Sequence, residues 1–374
     1  MQNKNVLVAS DSFKGTLSSL EICSLFKQEA INYKNISLTC FPVADGGEGS
    51  LDAVASSIKG NFVDVIVNNL YFEKINTKLF VSNNNAYIEC ASCVGLNLAR
   101  ANNNPGLVTT YGLGEQIKSC INLGISNIYI FLGGSASNDG GCGLASALGV
   151  KFYDKENKEF VPVGLTLKDI ERIDVSLCKQ LLKNTSITIL SDVKSPFYGV
   201  EGAAYKFAKQ KGANEEEIVL LDNGLKHLAE IIRRDLNTDI SNIPGSGAAG
   251  GLGGGLIAFA SAKVISGITA ILDLLDFDSE IKKADVVISG EGKLDKQTFD
   301  GKVVDGVAKR CIKYNKELIL IVGKSEISLS EAKRAYPCIS KIYETNELHL
   351  PLEQLKKSAK EDYLKQIKKC YTNI

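Results

Sequence analysis

Apolar residues cluster at first in short continuous runs that alternate with segments of helical spacing. Residues 6–9 form one such run, the pattern of a parallel strand buried on both faces. A polar turn follows at 10–16. Ser18 and Glu21 then stand at capping-box spacing, ahead of a helix with Leu20, Leu25 and Ile31 among its apolar positions. The plan repeats with a strand at 36–41, a glycine-rich turn at 44–49 and a helix running through Ile58. Alternating strands and helices predict an α/β unit with a parallel sheet.

The style changes near residue 62. Segments 62–67, 76–81 and 86–90 read as short strands joined by Asn-rich turns such as 82–85, which predicts an antiparallel or mixed sheet. A helix at about 112–123 precedes a buried strand at 127–132. That strand runs into a glycine cluster at 133–141 and a small-residue helix at 144–148. Residues 150–163 read as a hairpin around 154–157, and 187–190 as a strand ending at Ser191 and Asp192. A long polar helix at about 214–235 carries Glu215, Glu216 and Glu217 in its first turn, where the helix dipole favours them.

The first rhythm returns at 285. A strand at 285–289, a loop at 290–301, a helix at 302–314 and strands at 318–322 and 339–343 precede a basic amphipathic helix at about 352–370. The fold expectation is therefore α/β with an insertion. Residues 1–61 and 285–374 form one discontinuous parallel-sheet domain, and 62–284 form an inserted α/β domain with a mixed sheet.

Composition narrows the partners. The 374 residues hold 43 Lys+Arg and 43 Asp+Glu, a net charge of zero. Neutrality argues against a nucleic-acid or anionic-membrane partner. A hydrophobic fraction of 44% and a charged fraction of 23% are ordinary for a folded chain of two domains. The apolar run at 6–9 is too short for a signal peptide, and no stretch approaches a membrane span. The expected setting is cytoplasmic, with the ten cysteines as reduced and mostly buried thiols. Cys90 and Cys93 form a formal C-x-x-C, but no second pair or histidine cluster accompanies it. The two histidines, His227 and His349, lie away from every glycine-rich or acidic cluster, which argues against a zinc site or a Ser-His pair.

Two glycine clusters carry candidate chemistry. The first, at 133–141, follows a strand and precedes a helix, the setting in which backbone amides cradle an anion. Gly133, Gly134, Gly140 and Gly141 allow close approach, Ser135, Ser137 and Asn138 add donors, and Asp139 adds a carboxylate that could meet a metal. The second, at 245–255, matches G-x-G-x-x-G over 245–250 but follows a loop, not a strand. Ligand contact through Gly245 and Gly247 is balanced there by close helix packing. Gly323, Lys324 and Ser325 resemble the end of a Walker A motif, but Leu318 stands where its leading glycine should be.

Acids recur where strands end: Asp11, Asp45, Asp192 and Glu291. Ligands of open α/β sheets bind outside the carboxyl ends of strands. Such carboxylates suit Mg²⁺, and one could serve as a general base; a capping or turn role is an equal alternative for each. Lys14, Lys194 and Lys293 share these loops and could neutralise a phosphoryl group or a substrate carboxylate.

Six segments now resemble the class I glycerate kinases of bacteria. They are SDSFKG at 10–15, VADGGEG at 43–49, TYGLGE at 110–115, GGSASNDGG at 133–141, GSGAAGGLG at 245–253 and SGEGKLD at 289–295. They stand in family order and span nearly the whole chain. Ser137 replaces a frequent Thr and Lys293 a frequent Arg, so the second change loses a bidentate fork. The resemblance implies a glycerate 2-kinase that transfers the γ-phosphoryl group of ATP to D-glycerate. The product is 2-phosphoglycerate in most of the class, and the sequence leaves 3-phosphoglycerate open. It also implies a Rossmann-like domain with an inserted one, and an active site in the cleft between them.

On that basis residues 133–141, with Gly245 and Gly247, are expected at the nucleotide phosphates. Ser12, Lys14 and Lys293 are expected at the substrate. Asp192 is the first choice of base, with Asp45 and Glu291 as rivals or, with Asp192, as Mg²⁺ ligands. A nicotinamide-dependent hydroxy-acid dehydrogenase and a non-catalytic sensor of small acids are the competing classes. The oligomeric state, a homodimer included, stays open.

Overall fold

The computed structural model describes residues 3–44, 46–47, 49–299, 301–346 and 350–374. The chain divides into two compact units: Met1–Asp45, Asp52–Ile58 and Ser266–Ile374 in the first, Gly46–Leu51 and Lys59–Ile265 in the second.

The first unit is built on a five-stranded sheet in which every pairing is parallel. Its spatial order is Ile36–Pro42, Lys4–Ser10, Val286–Ser289, Glu317–Val322, Ile339–Glu344. Numbered within this unit, that is 2-1-3-4-5, the flavodoxin-like order among doubly wound, Rossmann-like sheets. The apolar runs explain the strands. Val6, Leu7, Val8 and Ala9 are buried, as are Val286, Val287 and Ile288, because helices cover both faces of the sheet. Ser18 caps the helix Ser19–Ala30: its hydroxyl accepts the Glu21 amide at 3.2 Å, and the Glu21 carboxylate accepts the Ser18 amide at 3.0 Å. The C-terminal helix Leu352–Thr372 buries Tyr363, Ile367, Cys370 and Tyr371 in the same core as Phe26, Val8 and Ile288.

Residues 266–284, read from sequence as part of the insertion, lie in the first unit. They form two helices, Gly267–Leu274 and Phe277–Lys283. Ile268 packs where a Cβ on Gly306 would stand, and Asp278 pairs with Arg310 at 2.9 Å, so both helices dock on the helix Val303–Lys313.

The second unit has a six-stranded mixed sheet. Lys263–Ile265, Ser186–Leu190, Asn127–Phe131 and Asn85–Glu89 run parallel, and Lys74–Ser82 and Asn61–Asn68 continue it antiparallel. The expected hairpins are present, and so is a small antiparallel sheet around 154–157. Tyr87 and Tyr129, opposed in the parallel ladder, stack with ring centres 5.1 Å apart. The helix Glu215–Leu236 opens on Asn214 and Glu217, which cap one another reciprocally. Among the described residues no helix is long and apolar enough to cross a membrane.

Candidate functional site

Each unit presents its own set of candidate groups. In the first, strand order reverses between Lys4–Ser10 and Val286–Ser289, the place where open α/β sheets leave a crevice. The loops leaving these two strands lie side by side, since the Asp11 amide donates to the Gly290 carbonyl at 2.9 Å. Asp11 is 8% exposed, and its carboxylate accepts the Ser12 amide at 2.7 Å, which fixes the turn. That turn presents Lys14 to solvent. Glu291, buried in the opposing loop, pairs with Lys302 at 3.6 Å. One of its carboxylate oxygens, Oε1, is buried with no protein partner. Burial raises the Glu291 carboxyl above its ordinary range, against the opposing pull of Thr298 and Lys302. A buried carboxylate oxygen lacking a donor fits a cation or a ligand proton.

In the second unit the strand Asn127–Phe131 runs straight into the loop 133–141. Gly134, Gly140 and Gly141 take left-handed φ of 77°, 60° and 78°, a conformation that glycine alone adopts at no steric cost and that lets the loop turn tightly. A Cβ on Gly133 would collide with the backbone of Gly47, so this turn is open only to glycine. The Gly133 amide donates to the Gly46 carbonyl at 3.1 Å, which ties the VADGGEG segment to the loop. Glu89, at the end of the neighbouring strand, accepts the Gly49 amide at 2.7 Å.

Two charged groups under this loop set its shape. Lys211 is buried, and its ammonium donates to the Ser135 hydroxyl at 3.0 Å and to the Ser137 carbonyl at 2.8 Å. Burial pulls its pKa down to about 8, against the attraction of Cys90 and Asp139. The Asp139 carboxylate is wholly buried. It accepts the Thr110 amide and hydroxyl at 2.8 Å each, the Gly141 amide at 3.1 Å and the Gly143 amide at 3.2 Å. Burial nevertheless raises its pKa. With its oxygens so committed, Asp139 anchors the loop to the first turn of the helix Cys142–Ala147. The sequence reading that aims it at a ligand or a metal is corrected on that ground.

Ser137 and Asn138 are also fully buried, but the Ser137 hydroxyl and both side-chain polar atoms of Asn138 have no protein partner. Buried polar atoms are nearly always paired, so these three sit where a ligand or ordered water belongs.

The second glycine cluster packs against the first. The Gly140 amide donates to the Gly250 carbonyl at 3.1 Å, and a Cβ on Gly250 would collide with the Ser137 carbonyl. Gly247 is equally confined by the Pro196 carbonyl. The buried Ser246 hydroxyl is a further unpaired group. Residues 245–250 lie in a turn ahead of the helix Leu252–Ala260, and what precedes them is a loop after the helix Glu215–Leu236. The strand that a dinucleotide fingerprint needs is missing at that position. Gly245 also approaches the Val193 carbonyl, which brings the cluster beside the segment that begins at Asp192. Asp192 is half-buried just past the strand Ser186–Leu190.

The second unit thus brings Gly133, Gly134, Ser135, Ser137, Asn138, Gly140, Gly141, Gly245 and Gly247 into one constellation beside Asp192. The first unit brings Ser12, Lys14 and Glu291 to one strand-end crevice. Lys293 is exposed and pairs with Asp295 at 3.4 Å and Glu326 at 3.0 Å, so its charge is largely committed to those acids. Asp45 and His349 lie outside the described residues. Among the described residues no three His, Cys, Asp or Glu side chains group closely enough to hold a metal ion by themselves.

Lys211, Thr110 and Lys302 were not anticipated from the sequence. Cys90 donates to the Gly133 carbonyl at 3.3 Å and Cys93 to Gln116 at 3.4 Å, and burial raises both thiols, so the C-x-x-C is a packing feature under the loop. His227 contacts the Ile170 carbonyl at 2.7 Å, away from both constellations.

Comparison with known proteins converges on one family. The family model for the glycerate kinase family matches residues 6–374. Glycerate 2-kinase of Escherichia coli K12 is 39% identical over 322 residues, 85% of this chain and 84% of that protein. Glycerate kinase of Bacillus cereus is 38% identical over a stretch of the same length. A solved structure assigned as glycerate kinase 2 from Salmonella typhimurium LT2 superposes with a TM-score of 0.85 at 33% identity, covering 100% of this chain and 98% of that one.

Proposed function

The chain belongs to the glycerate kinase family, and we propose that it transfers the γ-phosphoryl group of ATP to the 2-hydroxyl of D-glycerate, giving 2-phosphoglycerate and ADP. The observation that supports this most directly is the loop 133–141. It combines left-handed glycines, a buried ammonium beneath it and unpaired buried polar atoms on Ser137 and Asn138. Those are the properties of a cradle for nucleotide phosphates.

In this reading the reaction forms a P–O bond to the glycerate oxygen and breaks the bond to the β-phosphate oxygen. The hydroxyl proton leaves to a base. Little other covalent chemistry is required, so positioning and charge neutralisation dominate. Gly134, Ser135 and the unpaired polar atoms of Ser137 and Asn138 meet phosphate oxygens, Gly133, Gly140 and Gly141 shape the path with their amides tied to Gly46, Gly250 and Asp139, and Gly245 and Gly247 let the second cluster pack close. Asp192 takes the proton, and Lys14 with Ser12 receives the glycerate carboxylate or the moving phosphoryl. The scarcity of histidine, two residues in the chain, supports a carboxylate as the base. Glu291, with its unpaired buried oxygen, fits a Mg²⁺ ligand, and Asp45 and Asp192 are its candidate companions. Bound there, Mg²⁺ would neutralise charge on the nucleotide phosphates. The protein is read as cytoplasmic.

The deciding experiment is ADP release with Mg·ATP and D-glycerate, with phosphorus NMR of the product. Release with a 2-phosphoglycerate signal supports the proposal, and a 3-phosphoglycerate signal corrects the position of transfer. Glycerate binding without ADP release would favour the non-catalytic sensor. The nicotinamide dehydrogenase has lost its main support, since residues 245–250 lack their preceding strand.

A further inference from the structure

Lys211 closes a short helical turn, Lys209–Lys211, and runs its side chain beneath the loop 133–141. The residue is 4% exposed. Among the described residues no carboxylate comes within ion-pair distance of its ammonium. Asp139, the acid of the loop above it, commits its oxygens to Thr110, Gly141 and Gly143. A buried charge without an ionic partner is costly, and a neutral donor could serve the Ser135 and Ser137 oxygens without that cost. Such a cation suits an anion that the protein itself does not supply. At neutral pH Lys211 carries its charge, since burial brings its pKa down only to about 8.

The hydrogen bond to Ser135 has a direction fixed by chemistry. A lysine ammonium has three hydrogens and no lone pair, so it can only donate. Ser135 Oγ accepts at 3.0 Å, and its own hydrogen is left to donate elsewhere. Among the described residues nothing accepts that hydrogen. The backbone on either side of Ser135 is held by other groups. The Gly134 carbonyl accepts the Leu96 amide at 2.8 Å, and the Ala136 amide donates to the Val94 carbonyl at 2.9 Å. Lys211 is also tied to this stretch through Asn103, whose side-chain amide donates to the Lys211 carbonyl at 2.7 Å and to the Ala136 carbonyl at 3.3 Å. What the ammonium adds at Ser135 is therefore the orientation and polarisation of a hydroxyl.

We propose that Lys211 is a positioning residue for the nucleotide phosphates, turning the Ser135 hydroxyl so that its hydrogen meets a phosphate oxygen and passing its charge to the ligand through that hydroxyl. The assignment rests on the kinase reading above. A hydroxyl that accepts from a cation is a better donor to an anion, so ammonium, hydroxyl and phosphate form one charge-assisted chain. The ligand class is a nucleoside di- or triphosphate.

The test is a double-mutant cycle on ADP affinity, read by calorimetric titration of the full chain. Lys211→Met removes the ammonium and Ser135→Ala removes the relay. Each should weaken ADP at least ~10-fold, the scale of a hydrogen bond to a charged group. Because the two act in series, adding Lys211→Met to Ser135→Ala should weaken ADP by a further factor below ~3. Lys211→Gln keeps a donor to Ser135 without the charge, so its affinity should fall between those of the parent and Lys211→Met. Where Lys211→Met does not fold, the same cycle is run with Lys211→Gln. A lysine that only shapes the loop would weaken ADP by the same factor with or without Ser135, and that additivity would overturn the proposal. Parental ADP affinity in Ser135→Ala, or in both Lys211 variants, would overturn it too. A parent chain that binds no ADP would instead remove the kinase reading, and this assignment with it.

Discussion

The Lys211 ammonium donates to the Ser135 hydroxyl at 3.0 Å from within the protein interior, and to the Ser137 carbonyl at 2.8 Å. A single cation thereby holds the middle of the proposed phosphate loop. Burial brings its pKa to about 8, far below the 10.5 of a free lysine. Between those values the unfolded chain holds a proton that the folded one has released. Stability contributed through Lys211 therefore rises with pH across that window, by about 1 kcal/mol per unit. In Lys211→Met this dependence is absent. The stability gap between the parent and the variant should widen as pH rises from 8 toward 10, read by denaturant unfolding at each pH. A gap independent of pH would place the Lys211 proton outside the folding equilibrium.

Asp139 gives a sharper structural test. Its two oxygens accept hydrogen bonds from Thr110, Gly141 and Gly143. Asp139→Asn replaces one oxygen with an NH₂ group that must face N–H donors. An unsatisfied buried donor costs ~1–3 kcal/mol, and here the donors also repel. The variant should melt several degrees lower, by calorimetry. Unchanged melting would show that the loop does not depend on this anchor.

Those two residues mark where the sequence stopped being informative. Asp139 was visible as an acid among glycines, but its role is set by Thr110, which sits 29 residues earlier on another element. Lys211 gave no signal because its acceptors are 74 and 76 residues away in the chain. By contrast, the strands buried on both faces, such as Lys4–Ser10 and Glu317–Val322, announced themselves as continuous apolar runs. Ser18 and Glu21 announced the first helix through their own local chemistry. The three-residue strands Arg172–Asp174 and Lys263–Ile265 are too short to show a period, and pairing alone defines them. The glycine clusters were legible as loops that needed glycine. Their mutual packing was not, because it is a backbone-to-backbone contact that leaves no side-chain pattern.

Asp192 bears the proton-transfer role proposed above. Asp192→Asn keeps the size and much of the hydrogen bonding and removes the basicity. Its kcat should fall ~10²–10⁴-fold with little change in KM for glycerate. A near-normal kcat would take the role from Asp192 and make Asp45 and Glu291 the next variants to measure.

Lys14 is exposed at the tip of a turn that Asp11 and Ser12 hold in place. Removal of its charge therefore costs the fold little. Lys14→Ala should melt like the parent, and its kcat/KM for D-glycerate should drop by at least ~10-fold if it meets the carboxylate or the moving phosphoryl. The loss should be smaller in Lys14→Arg, which keeps the charge. Equal kinetics in all three proteins would remove Lys14 from the site.

Gly250 separates loop geometry from loop chemistry. It sits at φ 72°, and its carbonyl accepts the Gly140 amide at 3.1 Å. A Cβ there meets the Ser137 carbonyl, a backbone atom that cannot rotate away, and the left-handed conformation adds strain of its own. Gly250→Ala must therefore push the two glycine clusters apart without removing any polar group of 133–141. If that loop cradles phosphates, nucleotide affinity should fall ~10-fold or more, the equivalent of about 1.4 kcal/mol. Glycerate affinity should move far less. Calorimetric titration of each ligand into the variant reads both numbers. The reverse pattern, glycerate weakened and nucleotide unchanged, would assign the paired glycine clusters to the acid and send the search for the nucleotide elsewhere.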